Sequence, residues 1–274
     1  MRENDLSQLS ELQKAELEVL KVFDGICRKN GIKYYLTAGS MLGAVRHHGF
    51  IPWDDDIDVA MFRKDYEKFK DNASTLLPDY MYLSTYETPG HIWAPKVIDK
   101  RSTYQMDGLI KSKEIGPWVD ILVVDGIPSS KIMRSVLKFF YLFTRMLYQY
   151  SSLSTAVNMH RKGRPWYELL AIKIGSFMHI ENMLSTKATG RWYDWVCSRF
   201  DADKCENVAP LAGARRFKEV VPKKWWGEGT PMQFEDMMAP CPSGWHEYLT
   251  YLYGDYMTPP SISERERHTL ENSK

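Results

Sequence analysis

The chain has 274 residues, of which 44% are hydrophobic and 26% are charged, and its formal net charge at pH 7 is +1. This length and apolar content predict a packed domain with room for a large insertion, and they argue against a disordered chain. The nearly balanced charge gives no support for a nucleic-acid-binding protein, so no nucleic-acid partner is expected.

The four cysteines are scattered and form no C-x-x-C pair, which indicates a reduced, cytoplasmic protein. A zinc site built on Cys197 and Cys205 is the alternative, but their spacing fits no standard zinc motif. The first residues lack the basic start and apolar run of a signal peptide, and no apolar stretch is long enough for a transmembrane helix. We therefore expect a cytoplasmic protein, with at most a peripheral position at the inner face of the cell membrane.

Helices and strands are predicted to alternate over the first 126 residues. Apolar residues recur at helical spacing over residues 9–26, and Asn30-Gly31 supplies a helix stop. A short strand is expected over residues 32–36. Further strands are predicted at four apolar or β-branched runs: residues 56–61, 80–85, 94–98 and 118–124. A mixed sheet flanked by helices, which is an α+β fold, is the natural arrangement of these elements.

A helical insertion is predicted at residues 128–206. It separates a core of residues 1–127 from residues 207–274, which are expected to complete the same catalytic domain. Residues 126–167 contain seven Lys or Arg residues and no Asp or Glu. Within them, residues 131–150 predict an aromatic-rich helix with a polar stripe: Arg134, Lys138, Arg145 and Gln149. Such a helix is typical of proteins that lie at an anionic bilayer surface, and a helix packed on its own domain is the alternative.

The densest group of carboxylates lies in IPWDDDIDVAM, residues 51–61. If the predicted strand includes Asp56 and Asp58, these two residues share a face, because residues two apart in a strand do so. Two carboxylates on one face repel each other unless a cation lies between them, and oxygen ligands favour Mg²⁺ or Mn²⁺. A solvated acidic turn is the alternative interpretation, so the pattern alone is a weak indication.

A Gly39-Ser40 turn precedes these acids, between a predicted strand and a predicted helix. Backbone amides at a helix N-terminus bind phosphate, and Gly39 permits a close approach to the main chain. This combination is typical of the nucleotidyltransferase fold, in which a neighbouring strand supplies a third carboxylate. Asp120 is the best candidate because it is a lone acid in an apolar strand, and a buried ion pair is the alternative. Asp125 is a weaker candidate, since Asp-Gly-Ile-Pro predicts a turn.

The run LTAGSMLGAVRHHGFIPWDDDIDVAM, residues 36–61, resembles the LicD family at many positions. Further matches are KVID at residues 96–99, VDI at 119–121 and YGDYM at 253–257. The resemblance implies a nucleotidyltransferase-like fold and transfer of phosphocholine, or a similar alcohol phosphate, from CDP-choline or another CDP-alcohol. It implies a cell-surface glycan acceptor, such as teichoic acid, lipopolysaccharide or a capsule precursor, and release of CMP. The family is also related to the fukutin-type ribitol-phosphate transferases.

By motif position, the resemblance implies that Asp56, Asp58 and Asp120 are the catalytic residues and hold Mg²⁺ or Mn²⁺. Asp120 could also accept the proton of the attacking hydroxyl. Four residues are expected to bind the donor phosphates through backbone or cationic groups: Gly39, Ser40, Arg46 and Lys96. One departure is Leu122-Val123-Val124, where the family commonly has an aromatic residue, and this weakens any inference about donor packing.

Two alternatives to this function remain open. The first is a nucleotidyltransferase that acts on a drug, an RNA or a protein, since such an enzyme would retain the Gly-Ser turn and the three acids. The second is an inactive glycan-binding protein, against which the intact acids argue. A lipid-linked glycan acceptor would suit the basic insertion, because the enzyme and its acceptor would then meet at the membrane.

Overall fold

The computed structural model describes residues 9–89, 94–106, 113–156, 166–177, 179–261 and 270–272. A mixed sheet with helices around it confirms the predicted α+β fold class. The helices are α1 (Glu11–Asn30), α2 (Ala38–His47), α3 (Arg63–Leu76), α4 (Lys131–Tyr150), α5 (Leu153–Ala156), α6 (Trp166–Phe177), α7 (Thr186–Cys197) and α8 (Trp245–Tyr253). The strands are β1 (Tyr35–Leu36), β2 (Asp58–Phe62), β3 (Met81–Ser84), β4 (Lys96–Asp99), β5 (Tyr104–Met106), β6 (Lys113–Ile115), β7 (Trp118–Ile127), β8 (Asn207–Ala209), β9 (Val221–Pro222), β10 (Thr230–Phe234), β11 (Met237–Cys241) and β12 (Leu270–Asn272).

The central sheet has the order β1-β2-β7-β4-β3, and β8 and β9 extend it from the last residues of β7. Strands β2 and β7 are parallel, whereas β4 pairs antiparallel with both β7 and β3. All ten residues of β7 are buried. This burial agrees with its sequence, WVDILVVDGI, because a strand that is covered on both faces of the sheet is normally almost wholly apolar. The two aspartates in this strand are therefore exceptional.

The capping residues of α1 explain where the helix starts and stops. Ser10 and Gln13 form a reciprocal capping box at its start, and Gly31 takes a left-handed φ of +58° after its last residue. The strand predicted over residues 32–36 is shorter than expected. The strand predicted from residue 56 begins two residues later, because Pro52 and Trp53 form a turn and the next residues are still irregular.

The main core lies between the central sheet and α1, α2 and α3. Side chains from the segment after the insertion enter the same core, and the largest of the fully buried ones include Trp226, Phe234 and Tyr248. The cysteines are free thiols, and three of the four are buried. Among the residues that the structure describes, no group of cysteines and histidines is arranged to hold a metal, so nothing here supports the zinc alternative.

The insertion leaves and rejoins the core at neighbouring positions, since Ile127 of β7 pairs with Asn207 of β8. Its first helix, α4, covers the same residues as the predicted helix over 131–150. One side of α4 packs against α7 in a second core that contains Tyr141, Tyr148 and Tyr193. None of the described helices combines the length and the apolar character needed to cross a bilayer.

The polar stripe predicted along α4 is wrong in one respect. Arg145 is only 7% exposed, because it follows Tyr141 by four residues and lies on the same buried side. Arg134 is half-buried and donates to the Pro128 carbonyl at 3.2 Å, whereas Lys138 is exposed. The basic residues predicted further along the insertion, Arg161, Lys162 and Arg164, lie outside the described residues.

The side of α4 that faces away from the second core is apolar and exposed. Eight large apolar side chains form this exposed apolar face, with exposures from 44% to 78%: Ile132, Met133, Val136, Phe139, Phe140, Leu142, Phe143 and Met146. Lys131 and Lys138 lie at its edge and are exposed as well. Large apolar surfaces of this kind commonly mark sites of interaction.

Candidate active site

Three strands bring two carboxylates and one ammonium group into a row across the sheet. Asp58, the first residue of β2, pairs in register with Asp120 of β7, and Lys96, the first residue of β4, pairs with Asp120 from the other side. The Asp120 N–H also donates to the Ile57 carbonyl at 2.8 Å. Neighbouring strands lie about 4.8 Å apart, so the pairing of the strands sets the spacing of these side chains.

Asp56, Asp58 and Asp120 together form what we call the acidic cluster. One carboxylate oxygen of each lies within 4.8 Å of the other two. Asp56 precedes β2, so the shared strand face that we predicted for Asp56 and Asp58 is not what brings them together; the irregular segment before the strand does so. Three anionic oxygen donors at this separation fit Mg²⁺ or Mn²⁺.

Burial and mutual repulsion shift the pKa values of these acids. Burial, followed by the Asp56 and Asp120 carboxylates, raises the pKa of Asp58 well above its usual range, and Lys96 opposes this. Burial likewise raises the pKa of Asp120 against the lowering by Lys96. Burial and the neighbouring Asp56 raise the pKa of Asp54 to about 8. A cation among these groups would favour their charged forms.

Asp120 accepts hydrogen bonds at both of its carboxylate oxygens. Lys96 Nζ donates to Oδ1, and Trp118 Nε1 donates to Oδ2 at 2.8 Å. Lys96 also lies 4.9 Å from the centre of the Trp118 ring. The lysine and the aspartate are both buried. The structure therefore shows the buried ion pair that was the alternative for Asp120, and it places that pair at the acidic cluster.

Gly39 and Ser40 lie in the first turn of α2, so the turn predicted at these residues is wrong, but both residues contact the acidic segment directly. The Asp58 N–H donates to Ser40 Oγ at 2.9 Å. A Cβ atom on Gly39 would lie 2.4 Å from Asp54 Oδ2, so a larger residue would displace that carboxylate. Ala38 has a left-handed φ of +46°, which costs roughly 1 kcal/mol for a residue other than glycine. The start of α2 thus positions Asp54 and Asp58, and the binding of donor phosphate by Gly39 and Ser40 stays a prediction.

Arg46 joins α2 to the C-terminal segment. Its Nη1 donates to the Tyr256 carbonyl at 2.9 Å, and the Tyr256 hydroxyl forms a 2.7 Å hydrogen bond with His246 Nδ1. This hydrogen bond and the packing of Tyr256 in the main core attach the YGDYM segment, residues 253–257, to the rest of the domain. The predicted contact of Arg46 with the donor phosphates stays a prediction.

Asp125 belongs to a separate network. The turn predicted at this residue is wrong, because the residues that follow pair with β8 and keep β7 extended to Ile127. Asp125 is 2% exposed and accepts hydrogen bonds from Arg63 Nε and Nη2 at 2.8 and 2.6 Å. Arg63 Nη1 also donates to Asp194 of α7 at 2.8 Å. Arg63 therefore links the core to the insertion.

One acid near the cluster was missed by the sequence analysis. Glu16 of α1 is fully buried, and it lies within electrostatic reach of Asp56 and Asp120. A signal was present in the sequence, because Leu12 and Leu20 lie four residues to either side of Glu16. This spacing places the acid on the apolar side of the helix, where a charged residue is unusual.

The comparisons with known proteins agree with this geometry. Residues 31–125, which include the acidic cluster and Lys96, match the family model described as LicD/FKTN/FKRP, nucleotidyltransferase domain. The chain is 27% identical over 273 residues to lipopolysaccharide cholinephosphotransferase LicD of Haemophilus influenzae, and 97% of each chain is covered. It is 38% identical over 52 residues to ribitol 5-phosphate transferase FKRP of Homo sapiens, which is 19% of this chain and 10% of the relative. The resemblance noted in the sequence is therefore confirmed, and residues 31–125 match the nucleotidyltransferase domain described for the LicD family.

Proposed function

We propose that this protein is a transferase of phosphate-containing groups. It moves phosphocholine, or a similar alcohol phosphate, from a CDP-linked donor to a hydroxyl of a cell-surface glycan and releases CMP. The observation that carries this proposal is the row of Asp58, Asp120 and Lys96 across three strands, completed by Asp56. We infer that this row would hold a cation bound to the diphosphate of the donor.

The two named relatives support the class of reaction. One is named a lipopolysaccharide cholinephosphotransferase and the other a ribitol 5-phosphate transferase. What their names share is transfer of an alcohol joined to phosphate, and we infer that this shared chemistry extends to the present chain. Choline is the first alcohol to test, because the similarity to the cholinephosphotransferase covers nearly the whole chain.

Asp56, Asp58 and Asp120 would hold Mg²⁺ or Mn²⁺ in this proposal. The bound cation would neutralise the donor diphosphate and stabilise the charge that develops on the leaving oxygen. Asp120 would be held in position as a ligand by the hydrogen bonds that its two oxygens accept from Lys96 and Trp118. Lys96 balances the charge of the carboxylates and supplies a cationic donor to a phosphate oxygen.

The transfer exchanges one phosphorus–oxygen bond for another. The acceptor hydroxyl oxygen bonds to the phosphorus that carries the alcohol, and the anhydride bond to CMP breaks. The hydroxyl proton passes to a carboxylate beside the site. Asp120 is buried, which makes its electrostatic interactions stronger than they would be in solvent.

The insertion would place the enzyme at a membrane that carries a lipid-linked acceptor. The exposed apolar face of α4 has the size and aromatic content of an interfacial helix, and Lys131 and Lys138 at its edge suit anionic headgroups. The sequence around it contains no acidic residue from residue 126 to residue 167, so nothing in that stretch repels an anionic surface. We therefore propose an anionic bilayer surface as the partner of this face.

A panel of CDP-alcohols tests the reaction. The purified protein is incubated with Mg²⁺, membrane extract and CDP-choline, CDP-ethanolamine, CDP-ribitol or CDP-glycerol, and CMP is measured. We expect CMP with one donor in preference to the others, dependent on the extract as acceptor. The same incubation with ATP or CTP tests nucleotidyl transfer, and AMP or CMP attached to a product with release of diphosphate would overturn the proposal in favour of that alternative.

A further inference from the structure

Glu16 is the most unusual charged residue of the described chain outside the acidic cluster. It is 0% exposed and lies on α1 among Leu12, Leu17 and Leu20, which are buried core residues. Neither of its carboxylate oxygens has a hydrogen-bond partner. A buried carboxylate without a partner is strongly unfavourable, so such a group usually has a functional reason or an ion that completes its surroundings.

The charges around Glu16 are those of the candidate active site. Burial, followed by the carboxylates of Asp56, Asp55 and Asp120, raises its pKa well above the usual range, and Lys96 opposes this. Glu16 thus lies in the same field as the acidic cluster and approaches it from the helix rather than from the sheet. The nearby cation of the chain, Lys96, is already paired with Asp120.

The position of Glu16 is fixed by the first turn of α1. Gln13 Nε2 donates to the Asp54 carbonyl at 2.7 Å, while Gln13 Oε1 accepts from the Ser10 N–H at 2.9 Å. The capping residue therefore binds the helix to the acidic segment that leads into β2. Glu16 follows Gln13 by three residues, which places both side chains on the same side of the helix. The helix cannot turn the carboxylate towards solvent without breaking this anchor.

We propose that Glu16 is a supporting carboxylate of the cation site, which lies outside the group of Asp56, Asp58 and Asp120 and increases the affinity of that group for divalent metal through its negative charge. The inference rests on the proposed function, since it takes the acidic cluster as the metal site. Charged groups beyond the ligands themselves can change metal affinity about 10-fold or more, so a buried carboxylate near the cluster strengthens binding. A bound cation would also offset the repulsion between Glu16 and the aspartates of the cluster.

Metal affinity provides the test, and Glu16→Gln is the main variant because it removes the charge and keeps the shape. Mn²⁺ binding without any donor is measured by calorimetry for the wild type, for Glu16→Gln and for Glu18→Gln. Glu18 is the matched control, since it lies on the same helix with its side chain 61% exposed and paired with Lys21. We expect Glu16→Gln to weaken Mn²⁺ binding about 10-fold or more and Glu18→Gln to leave it unchanged.

The possible outcomes separate this inference from the proposed function. Wild-type protein that binds Mn²⁺ together with a Glu16→Gln variant of equal affinity would overturn the role of Glu16 and leave the metal site intact. Wild-type protein that binds no Mn²⁺ would remove the metal site, and the role of Glu16 with it.

A second readout covers a variant that folds poorly. Glu16→Met replaces the carboxylate with an apolar side chain of similar length, which suits a buried position and needs no hydrogen bond. The rise in Tm on addition of Mn²⁺ reports binding to the folded state. We expect the rise to be smaller for both Glu16 variants than for wild type at equal Mn²⁺ concentration. An equal rise in all three proteins would contradict the proposal.

Discussion

The core around the acidic cluster and the helical insertion are both unusual in burial, and in opposite ways: the core buries acidic side chains and the insertion exposes apolar ones. In the core, six acidic side chains crowd around the start of β2 and the neighbouring part of β7, and Asp120 and Glu16 among them are buried. In the insertion, eight large apolar side chains of α4 are exposed to solvent. Charged residues are rarely buried without partners, and soluble proteins rarely expose such a continuous apolar face.

Each departure indicates what kind of ligand the region binds. Buried carboxylates that repel one another are stabilised by a cation, whereas an exposed apolar face with lysines at its edge is stabilised by a lipid surface. In the proposed function, the chemistry and the membrane contact are therefore separated along the chain. The proposed metal site lies within residues 31–125, and the proposed membrane contact lies on α4 within the insertion.

Loss of a ligand of the acidic cluster should have the largest effect. We expect Asp56→Asn and Asp58→Asn each to lower the rate of CMP release by about 100- to 1000-fold, because several kcal/mol of charge stabilisation depend on the cation. The Tm should be nearly unchanged, since the amide keeps the shape and removes a repulsion. The exposed Asp79→Asn variant is the control. A cluster variant that keeps a tenth or more of wild-type activity would show that the metal assignment is wrong.

The Asp120→Asn variant separates catalysis from structural support. We expect activity to fall by about 100-fold or more while the protein stays folded and binds CDP-choline within a few-fold of the wild-type Kd. Donor binding is measured by calorimetry, and folding by circular dichroism. Lys96 loses its charged partner in this variant. If the variant unfolds instead, the ion pair with Lys96 is the main role of Asp120, and its role as a metal ligand loses support.

Arg63 tests whether the two regions depend on each other for stability. Arg63→Met leaves Asp125 buried without its partner, and removing one member of a buried ion pair costs about 3 kcal/mol or more. We expect this loss in urea unfolding, with Mn²⁺ affinity unchanged. Arg191→Met breaks the exposed pair with Glu87, so it should cost less than about 1 kcal/mol. An equal loss in the free energy of unfolding for the two variants would show that the Arg63 network stabilises the protein no more than an exposed ion pair does.

Substitutions in the exposed apolar face should have the smallest effect on stability, and their main effect should be on binding to membranes. Changing its central residues, Ile132, Val136, Phe139 and Phe143, to Gln keeps helix propensity and should shift stability by less than about 0.5 kcal/mol per residue. Binding to anionic vesicles, measured by co-sedimentation at low salt, should be lost. CMP release with a soluble acceptor should persist.

The lysines at the edge of the face provide an independent check on the lipid partner. Lys131→Glu with Lys138→Glu should weaken vesicle binding by about 30-fold or more, because each lysine contributes about 1 kcal/mol of attraction and each glutamate adds repulsion. The control is Lys29→Glu with Lys100→Glu, two exposed lysines of the core. If wild-type protein fails to sediment with anionic vesicles at low salt, the exposed apolar face binds a protein or another part of the chain, and the membrane proposal falls.

The patterns with local causes were predictable. The end of α1 at Gly31 and the full length of α4 follow from capping residues and helical spacing, and the acids of residues 51–61 were found from their density. Asp120 was found because an acid is conspicuous in an apolar strand. These features depend on neighbours within a few residues, which a sequence displays directly.

Features that depend on tertiary packing were missed or misplaced. Strand alternation predicted that the carboxylates of Asp56 and Asp58 lie close together, which they do. The reason was wrong, because Asp56 lies in the irregular segment before β2. Arg145 is buried because α7 covers its side of α4, and Asp125 stays in a strand because β8 pairs with the residues after it. Glu16 was overlooked since its neighbours are distant in sequence, although its place among leucines was a usable signal.

The pairing of Ile127 with Asn207 has a consequence for how this enzyme can change over time. The insertion departs and returns at facing positions of one antiparallel pair, so in topology it is an enlarged hairpin loop. The entropic cost of closing a loop rises only slowly with loop length. An internal segment whose two ends lie side by side can therefore be replaced without moving the strands that flank it. During evolution, this insertion can therefore be replaced by a shorter turn or by a different insertion, which would change the acceptor or the location of the enzyme. The strand register that builds the acidic cluster would stay the same.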